Sequence, residues 1–377
     1  MRDTSPESSN GPLRVAFLGA GEIATTHLAA VKNSPGVELV AVCDRDGERA
    51  RAFQQLGGVP HAFEDLDAML GGVAPDVVHV LLPPTAHAAA AERCLAAGSH
   101  VFVEKPFCVT VEECRRVQAA AGRAGRQVGV DHNLAFMPAF VKAVDAVRGC
   151  RLGAVEHMSV IFNLPMPGLD AGPHTHWMFA ATGNLMLETG VHPVSTVCRV
   201  LGGVERAATA VSGEMTLRNG TRFFRSWQSA LVCERGTAQC LLAVGAGFYS
   251  ASVHLIGEDG EAVADLRRNT ILVSEKRPHV RADDLVDART KARSLASQGA
   301  RNFRAYGLGA AGLRPAYSVQ VASVTNSLAS FYGALRAGRA PEVGGAEGTA
   351  VIEACYLIIE SAMRFADQAG GGLVAHR

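Results

Sequence analysis

Three groups of residues in this chain have types and spacings suited to chemistry. Lys105 stands between Glu104 and Pro106, directly after the short apolar run Val101–Val103. A partly desolvated lysine at a strand end can hydrogen-bond a substrate hydroxyl and stabilise it as its proton leaves. The competing reading is an ordinary surface lysine paired with Glu104. Glu188 and His192 lie four residues apart in Gly183–Ser195, GNLMLETGVHPVS, a spacing that puts both on one helical face. A histidine oriented by a carboxylate is a general base near neutral pH; the plainer alternative is a capping glutamate beside a half-buried histidine. Upstream, His174-Thr175-His176-Trp177 offers imidazole hydrogen bonds and an indole face to a sugar ring. The same histidines, with Glu188 and His192, invite a metal reading. Their spacing matches no Cys/His ligand pattern, and no metal is expected.

These groups need elements to position them, and the stretch that organises those elements is Arg14–Ala24, RVAFLGAGEIA. An apolar run, Val15 to Leu18, enters Gly19-Ala20-Gly21-Glu22-Ile23-Ala24 and then a helical pattern of Ile23, His27, Leu28 and Val31. Gly19 permits the tight turn, Gly21 lets a pyrophosphate approach the backbone at a helix start, and Ala24 takes the third small position. A second apolar strand, Leu39–Cys43, ends in Asp44, about 20 residues on, where an acid holds ribose hydroxyls. Strand and helix patterns then alternate to about Asn133. Val77–Leu82 ends at Pro83-Pro84-Thr85-Ala86-His87, Val101–Val103 ends at Glu104-Lys105-Pro106, and Thr110 to Glu113 has capping-box spacing. This predicts a doubly wound parallel sheet whose strand ends line one crevice. The cofactor contacts expected there are Gly19, Gly21, Glu22, Ile23, Asp44, Arg45, Leu82, Pro83, Thr85, His87, Glu104 and Lys105.

After about Phe136 the pattern changes to longer strands (Glu156–Phe162, Ala207–Gly213, Trp227–Val232, Gln239–Val244, Ser252–Ile256) joined by Gly- and Asn-containing turns. Few have crossover helices between them, so a large, mostly antiparallel open sheet is expected. The domain reading is a disordered tail over 1–12, a dinucleotide-binding Rossmann domain over 13–134, and an α+β domain over 135–377. A helix is expected around Gly190–Leu201, a loose helical insertion over Asp283–Leu313, and two final helices at Val319–Ala337 and Glu347–Phe365.

Composition bounds the rest. The chain has 377 residues, 48% apolar and 19% charged, with formal net charge zero. No basic stripe points to nucleic acid or a membrane surface, and no apolar stretch reaches the ~20 residues of a spanning helix. The nine cysteines form no C-x-x-C pair and fall mostly in apolar patterns, as free core thiols of a reducing compartment do. The polar opening MRDTSPESSNGP lacks the apolar region of a signal peptide, so cytoplasm is the expected location.

Taken together, GAGEIA, VCD, PPTAH, VEKP and E-x-G-x-H resemble the Gfo/Idh/MocA family of NAD(P)-dependent oxidoreductases, from about Leu13 to Phe365. The resemblance implies hydride transfer between nicotinamide and a sugar, cyclitol or related carbinol. It implies Lys105 as the catalytic lysine, His192 as the histidine near the reacting hydroxyl, Glu188 as the catalytic-site residue that orients them, and a homodimer or homotetramer through the open sheet. It leaves open relatives that recycle NAD in place as lyases, epimerases or glycosidases, and a non-catalytic NAD(P)-binding protein. Two departures stand out. The family's D-x-G-x-H-x-x-D reads E-T-G-V-H-P-V-S, so Ser195 lacks a carboxylate. The usual arginine is absent from Asp131-His132-Asn133-Leu134-Ala135-Phe136, where His132 and Asn133 offer polar contacts to substrate instead. Asp44 favours NAD over NADP by repelling a 2′-phosphate, while Arg45 can accept one.

Overall fold

The computed structural model describes residues 11–245, 247–276, 280–311 and 318–370; most of the expected amino-terminal tail lies outside them. The chain divides into two units, residues 1–132 with 320–349, and residues 133–319 with 350–377.

In the first unit, β1 (Leu13–Leu18), α1 (Glu22–Lys32), β2 (Val37–Cys43), α2 (Gly47–Gly57), β3 (His61–Phe63), α3 (Leu66–Val73), β4 (Val77–Val80), α4 (His87–Ala96), β5 (His100–Glu104), α5 (Val111–Ala124) and β6 (Val128–Asp131) alternate. The six strands are parallel in the order β3-β2-β1-β4-β5-β6, so the strand order reverses between β1 and β4. Ligands of such sheets bind outside the carboxyl ends at that reversal. β4 and β6 are buried at every position, as strands covered on both faces must be. Helix starts follow from local chemistry. Asp46 and Asp65 accept the backbone N–H three residues on, and Thr110 and Glu113 form the expected capping box.

The second unit begins with a 3-10 turn, Asn133–Phe136, then α6 (Pro138–Arg148), β7 (Val155–Leu164), a π-helical turn (Met186–Gly190), α7 (Val191–Leu201), β8 (Val204–Thr216), β9 (Arg222–Cys233), β10 (Gly236–Val244), β11 (Ser250–Gly257), β12 (Gly260–Asp265), β13 (Thr270–Glu275) and α8 (Val280–Ala310). Its seven strands run β13-β12-β11-β7-β10-β9-β8, antiparallel except for the β7–β10 pair. β12 and β13 extend the sheet beyond the sequence expectation; their short, weakly alternating runs carry little periodic signal. The expected loose insertion over Asp283–Leu313 is mostly one long helix, α8, fastened to the edge strand. Gln298 accepts the Ile271 N–H at 2.9 Å and donates to its carbonyl at 2.7 Å, while Asn302 donates to the carbonyls of Arg268 and Asn269. A side-chain amide thus satisfies backbone groups that an uncovered edge leaves unpaired.

The last two helices are α9 (Val319–Arg336) and α10 (Gly345–Gly370). From α9, Val324, Leu328, Phe331 and Tyr332 join Val15, Phe17, Val77 and Phe102 in the core of the first unit, which takes in 320–349 for that reason. Gly129 makes room for them: a Cβ there would lie 2.5 Å from the Phe331 ring. Among the described residues no helix is long and apolar enough to cross a membrane. The nine cysteines are all free, and most are buried.

Candidate active site

The turn after β1 fits a dinucleotide. Gly19 has φ +107°, and a Cβ there would sit 2.4 Å from the Leu81 carbonyl oxygen, so only glycine fits. Gly21 occupies the N-cap of α1 with no side-chain cap, and a Cβ on it would meet nothing within 4 Å. The helix start therefore has no side-chain cap and leaves room beside its first glycine, which suits a pyrophosphate. Glu22 and Ile23 open the helix, and Ala24 is fully buried where helix and strand pack. Asp44 is locked at the end of β2: Oδ2 accepts the Ala20 N–H at 2.9 Å and Oδ1 the Asp46 N–H at 3.0 Å. Arg45 beside it is exposed, and Arg49 reaches to 3.9 Å of the Asp44 carboxylate. After β4, Leu82 is half-buried, with Pro83 and Thr85 exposed.

Two of the expected cofactor contacts turn inward. His87 is fully buried, its ring nitrogens each 2.8 Å from a backbone carbonyl, those of Pro106 and Leu82. It braces the loop after β4 against the loop after β5. Burial pushes its pKa down, against the raising pull of those two carbonyls. Glu104 is also buried; Oε1 lies 2.8 Å from His27 Nε2, and Oε2 accepts the Lys105 peptide N–H at 3.0 Å. The carboxylate thus fixes the backbone of the lysine-bearing turn from inside the fold.

Beneath that turn lies a buried chain of polar groups that hydrophobic periodicity does not reveal. His27 Nδ1 is 3.1 Å from His79 Nδ1, and His79 Nε2 is 2.7 Å from the Tyr332 hydroxyl. The signal was present, since His79 interrupts an otherwise apolar strand and His27 lies on the apolar face of α1. Burial works to lower the pKa of His27, but the Glu104 hydrogen bond and the charges of Glu104 and Asp131 outweigh it and raise it. Burial and the neighbouring His27 hold His79 well below the usual histidine range. For Glu104 burial works upward, and His27 overcomes it, so its pKa falls. Asp131 goes the other way: burial and the Glu104 charge raise it far out of the carboxylate range, to about 7. His132 is fully buried with neither ring nitrogen in a hydrogen bond, and burial takes its pKa down to about 4. It is a neutral imidazole with two unsatisfied positions, the kind of group that a ligand satisfies.

In the second unit, His192 opens α7 directly after the π-helical turn that carries Glu188. Turns of this kind recur at functional sites. Glu188 Oε2 accepts the Trp177 indole N–H at 2.5 Å, and Asn184 donates to the Trp177 carbonyl at 2.8 Å. Glu188 therefore holds the indole in place. The His192 ring packs on Phe162, centroids 5.9 Å apart. The Ser195 hydroxyl donates to the His192 carbonyl at 2.7 Å, so it is spent on the helix and does not replace the missing carboxylate. His174 is buried too. Its Nδ1 accepts the Arg218 N–H, which leaves Nε2 to donate to the Leu169 carbonyl at 2.8 Å. It braces the loop and has no nitrogen left for substrate. His176 is exposed and its Nδ1 accepts the Met178 N–H. Arg199, which the motif reading missed, stacks over Phe136 at 4.4 Å and donates to the Ala135 carbonyl, pinning the turn that begins at Asn133 to α7. An arginine of α7 thus reaches that segment.

Comparison with known proteins places this arrangement. Residues 13–132 match the Gfo/Idh/MocA family, described as an oxidoreductase family with an NAD-binding Rossmann fold. Over 257 residues, 67% of its length, the chain is 30% identical to dTDP-3,4-didehydro-2,6-dideoxy-alpha-D-glucose 3-reductase of Streptomyces violaceoruber, covering 72% of that protein. This chain belongs to the Gfo/Idh/MocA family. It is also 30% identical over 198 residues to the D-apiose dehydrogenase of Paraburkholderia graminis, a match over 52% of each, so it spans about half the length of that relative. Among solved structures it is similar to a levoglucosan dehydrogenase in complex with NADH and levoglucosan. The TM-score is 0.76 at 16% identity, with 94% of this chain and 98% of that one covered. That likeness is one of fold. The Gfo/Idh/MocA chain described here thus pairs an NAD-binding Rossmann unit with a mostly antiparallel seven-stranded sheet.

Proposed function

We propose that this Gfo/Idh/MocA protein is an NAD(P)-dependent dehydrogenase that oxidises a CH–OH group of a sugar, cyclitol or related polyol. The observation that carries the reading is Lys105, which follows β5, the neighbour of β4, at the carboxyl ends of the strands, with its peptide held by the buried Glu104 carboxylate. The names of the D-apiose dehydrogenase and of the dTDP-sugar 3-reductase support sugar-like substrates. Bound nicotinamide supplies a carbon that takes or gives a hydride. Gly19, Gly21 and the start of α1 hold the pyrophosphate, with Glu22, Ile23, Leu82, Pro83 and Thr85 around the cofactor. Asp44 binds the adenosine ribose. Lys105 donates a hydrogen bond to the reacting hydroxyl oxygen, and His192 takes the hydroxyl proton in oxidation and returns it in reduction. Trp177, set by Glu188, offers its indole to the sugar face, while His132, Asn133 and His176 bind hydroxyls.

Asp44 also tests cofactor choice. Asp44→Ala removes a ribose acceptor together with the clamp on Ala20 and Asp46. The expected result is an NAD dissociation constant raised roughly tenfold or more, with NADP much less affected. Titrations of both cofactors at one ionic strength measure this; equal weakening of both assigns Asp44 a structural role only.

The sheet of the second unit supports assembly. Ile161, Ile256, Val263 and Phe365 are exposed large hydrophobics on the sheet and on α10. A homodimer or homotetramer through this surface, in the cytoplasm, completes the reading. Sedimentation of the wild type against Ile161→Glu checks it, with a monomer at micromolar concentration in the wild type as the opposing result.

A further inference from the structure

The first unit holds ionisable groups that cofactor binding does not use. Glu104 and Asp131 end neighbouring parallel strands and are register partners, so their carboxyls leave the sheet on one face. Asp131 is 0% exposed, and neither oxygen meets a donor in hydrogen-bond geometry. His27 Nε2 is hydrogen-bonded to Glu104 at 2.8 Å and lies 3.5 Å from Asp131. The other titratable groups facing the cluster are His79 on β4, His87 at the start of α4, Tyr332 on α9, and Lys105 and His132 after β5 and β6. Two ionised carboxylates against one imidazolium in a dry core leave a negative charge uncompensated. One proton between the carboxyls removes that charge and converts two competing acceptors into a donor and an acceptor.

We propose that Asp131 is a neutral carboxylic acid sharing its proton with Glu104, and that through the Glu104 carboxylate it is a positioning residue for Lys105. This rests on the role assigned to Lys105 above. Burial and the Glu104 charge, which raise the proton affinity of Asp131, agree with the geometry. The carboxyl O–H donates to Glu104, whose remaining oxygen stays on the Lys105 peptide N–H. When the proton leaves to solvent near neutral pH, the cluster gains a negative charge beside the lysine and the two carboxylates repel.

The sign of the stability effect follows. A carboxyl whose pKa is raised on folding binds more protons in the native state than in the unfolded one. Its contribution is therefore full below the unfolded carboxylate range and is lost as pH rises through about 7. Asp131→Asn keeps the shape, donates a permanent N–H to Glu104 and does not titrate. Relative to this variant, the wild-type folding equilibrium constant should fall up to about tenfold per pH unit between about pH 5 and 7. Infrared spectra of the wild type at pH 6 should show a protonated-carboxyl C=O band that disappears across neutrality and is missing in Asp131→Asn.

In turnover, Asp131→Ala should lower kcat, Asp131→Asn should restore it, and the near-neutral limb of the kcat–pH profile should flatten in Asp131→Asn. The absence of that band at pH 6, or identical pH dependence of stability in wild type and Asp131→Asn, overturns the proposal. So does stoichiometric Zn2+ binding that is lost in Asp131→Asn, since His27, Glu104 and Asp131 would then be a cation site. The infrared and unfolding arms need no substrate, so they separate this proposal from the role of Lys105, which Lys105→Ala tests by itself.

Discussion

Lys105→Ala is expected to lower kcat roughly a hundred- to ten-thousand-fold while leaving the NAD dissociation constant within a few-fold of wild type. The two parameters separate because the pyrophosphate turn and Asp44 lie on β1, α1 and β2, whereas Lys105 follows β5. The Lys105 backbone is fixed by Glu104 through its own peptide N–H, which the substitution preserves. Alanine therefore removes the ammonium without releasing the turn. His192→Ala should fall by a similar factor, and Lys105→Arg should recover little, since a planar guanidinium does not replace a compact ammonium at a reacting oxygen. Steady-state kinetics with cofactor titrations check all three. A Lys105→Ala enzyme with near-wild-type kcat removes this lysine from the chemistry.

Gly19→Ala and Gly21→Ala should fail in different ways. At Gly19 the φ of +107° and the Leu81 carbonyl, 2.4 Å from any added Cβ, charge the fold itself. A destabilisation on the order of 2–5 kcal/mol is expected, with cofactor binding lost as the turn shifts. At Gly21 the φ of −75° suits alanine and the added methyl meets open space. Stability should hold, while the methyl stands where the pyrophosphate approaches, so NAD affinity should drop about tenfold or more. Urea unfolding and cofactor titration of both variants separate the two effects. Unchanged NAD affinity in Gly21→Ala would place the dinucleotide elsewhere.

The contrast between these glycines shows what sequence can carry. The G-x-G-x-x-A spacing, Asp44, the capping box at Thr110 and the alternation of strands and helices report local backbone demands, and the Rossmann sheet followed from them. What periodicity missed has longer range. β12 and β13 are short, and α8 becomes ordered through Gln298 and Asn302 gripping an edge strand, a pairing across about 30 residues. α9 belongs to the core of the first unit because Phe331 fills the space that Gly129 leaves beside Phe102, with Tyr332 in the same core.

Histidines have roles that sequence position does not fix. His87 and His174 sit in motif-like loops, yet their nitrogens face backbone groups. His27 and His79 sit in apolar runs, yet they carry the polar chain under Lys105. Residue type names the available chemistry. Burial and partners decide how it is spent, and those depend on strands far apart in sequence.

The central claim is net hydride transfer from a polyhydroxylated carbon to a nicotinamide cofactor. The most direct measurement mixes the purified protein with excess NAD or NADP and a panel of sugars and cyclitols, following reduced nicotinamide and product together. The account predicts that reduced cofactor builds up over many turnovers, one equivalent per oxidised substrate, and that Lys105→Ala abolishes it. Substrate consumed with no reduced cofactor appearing, while one tightly bound NAD per chain persists, would contradict it and mark an enzyme that recycles the cofactor in place.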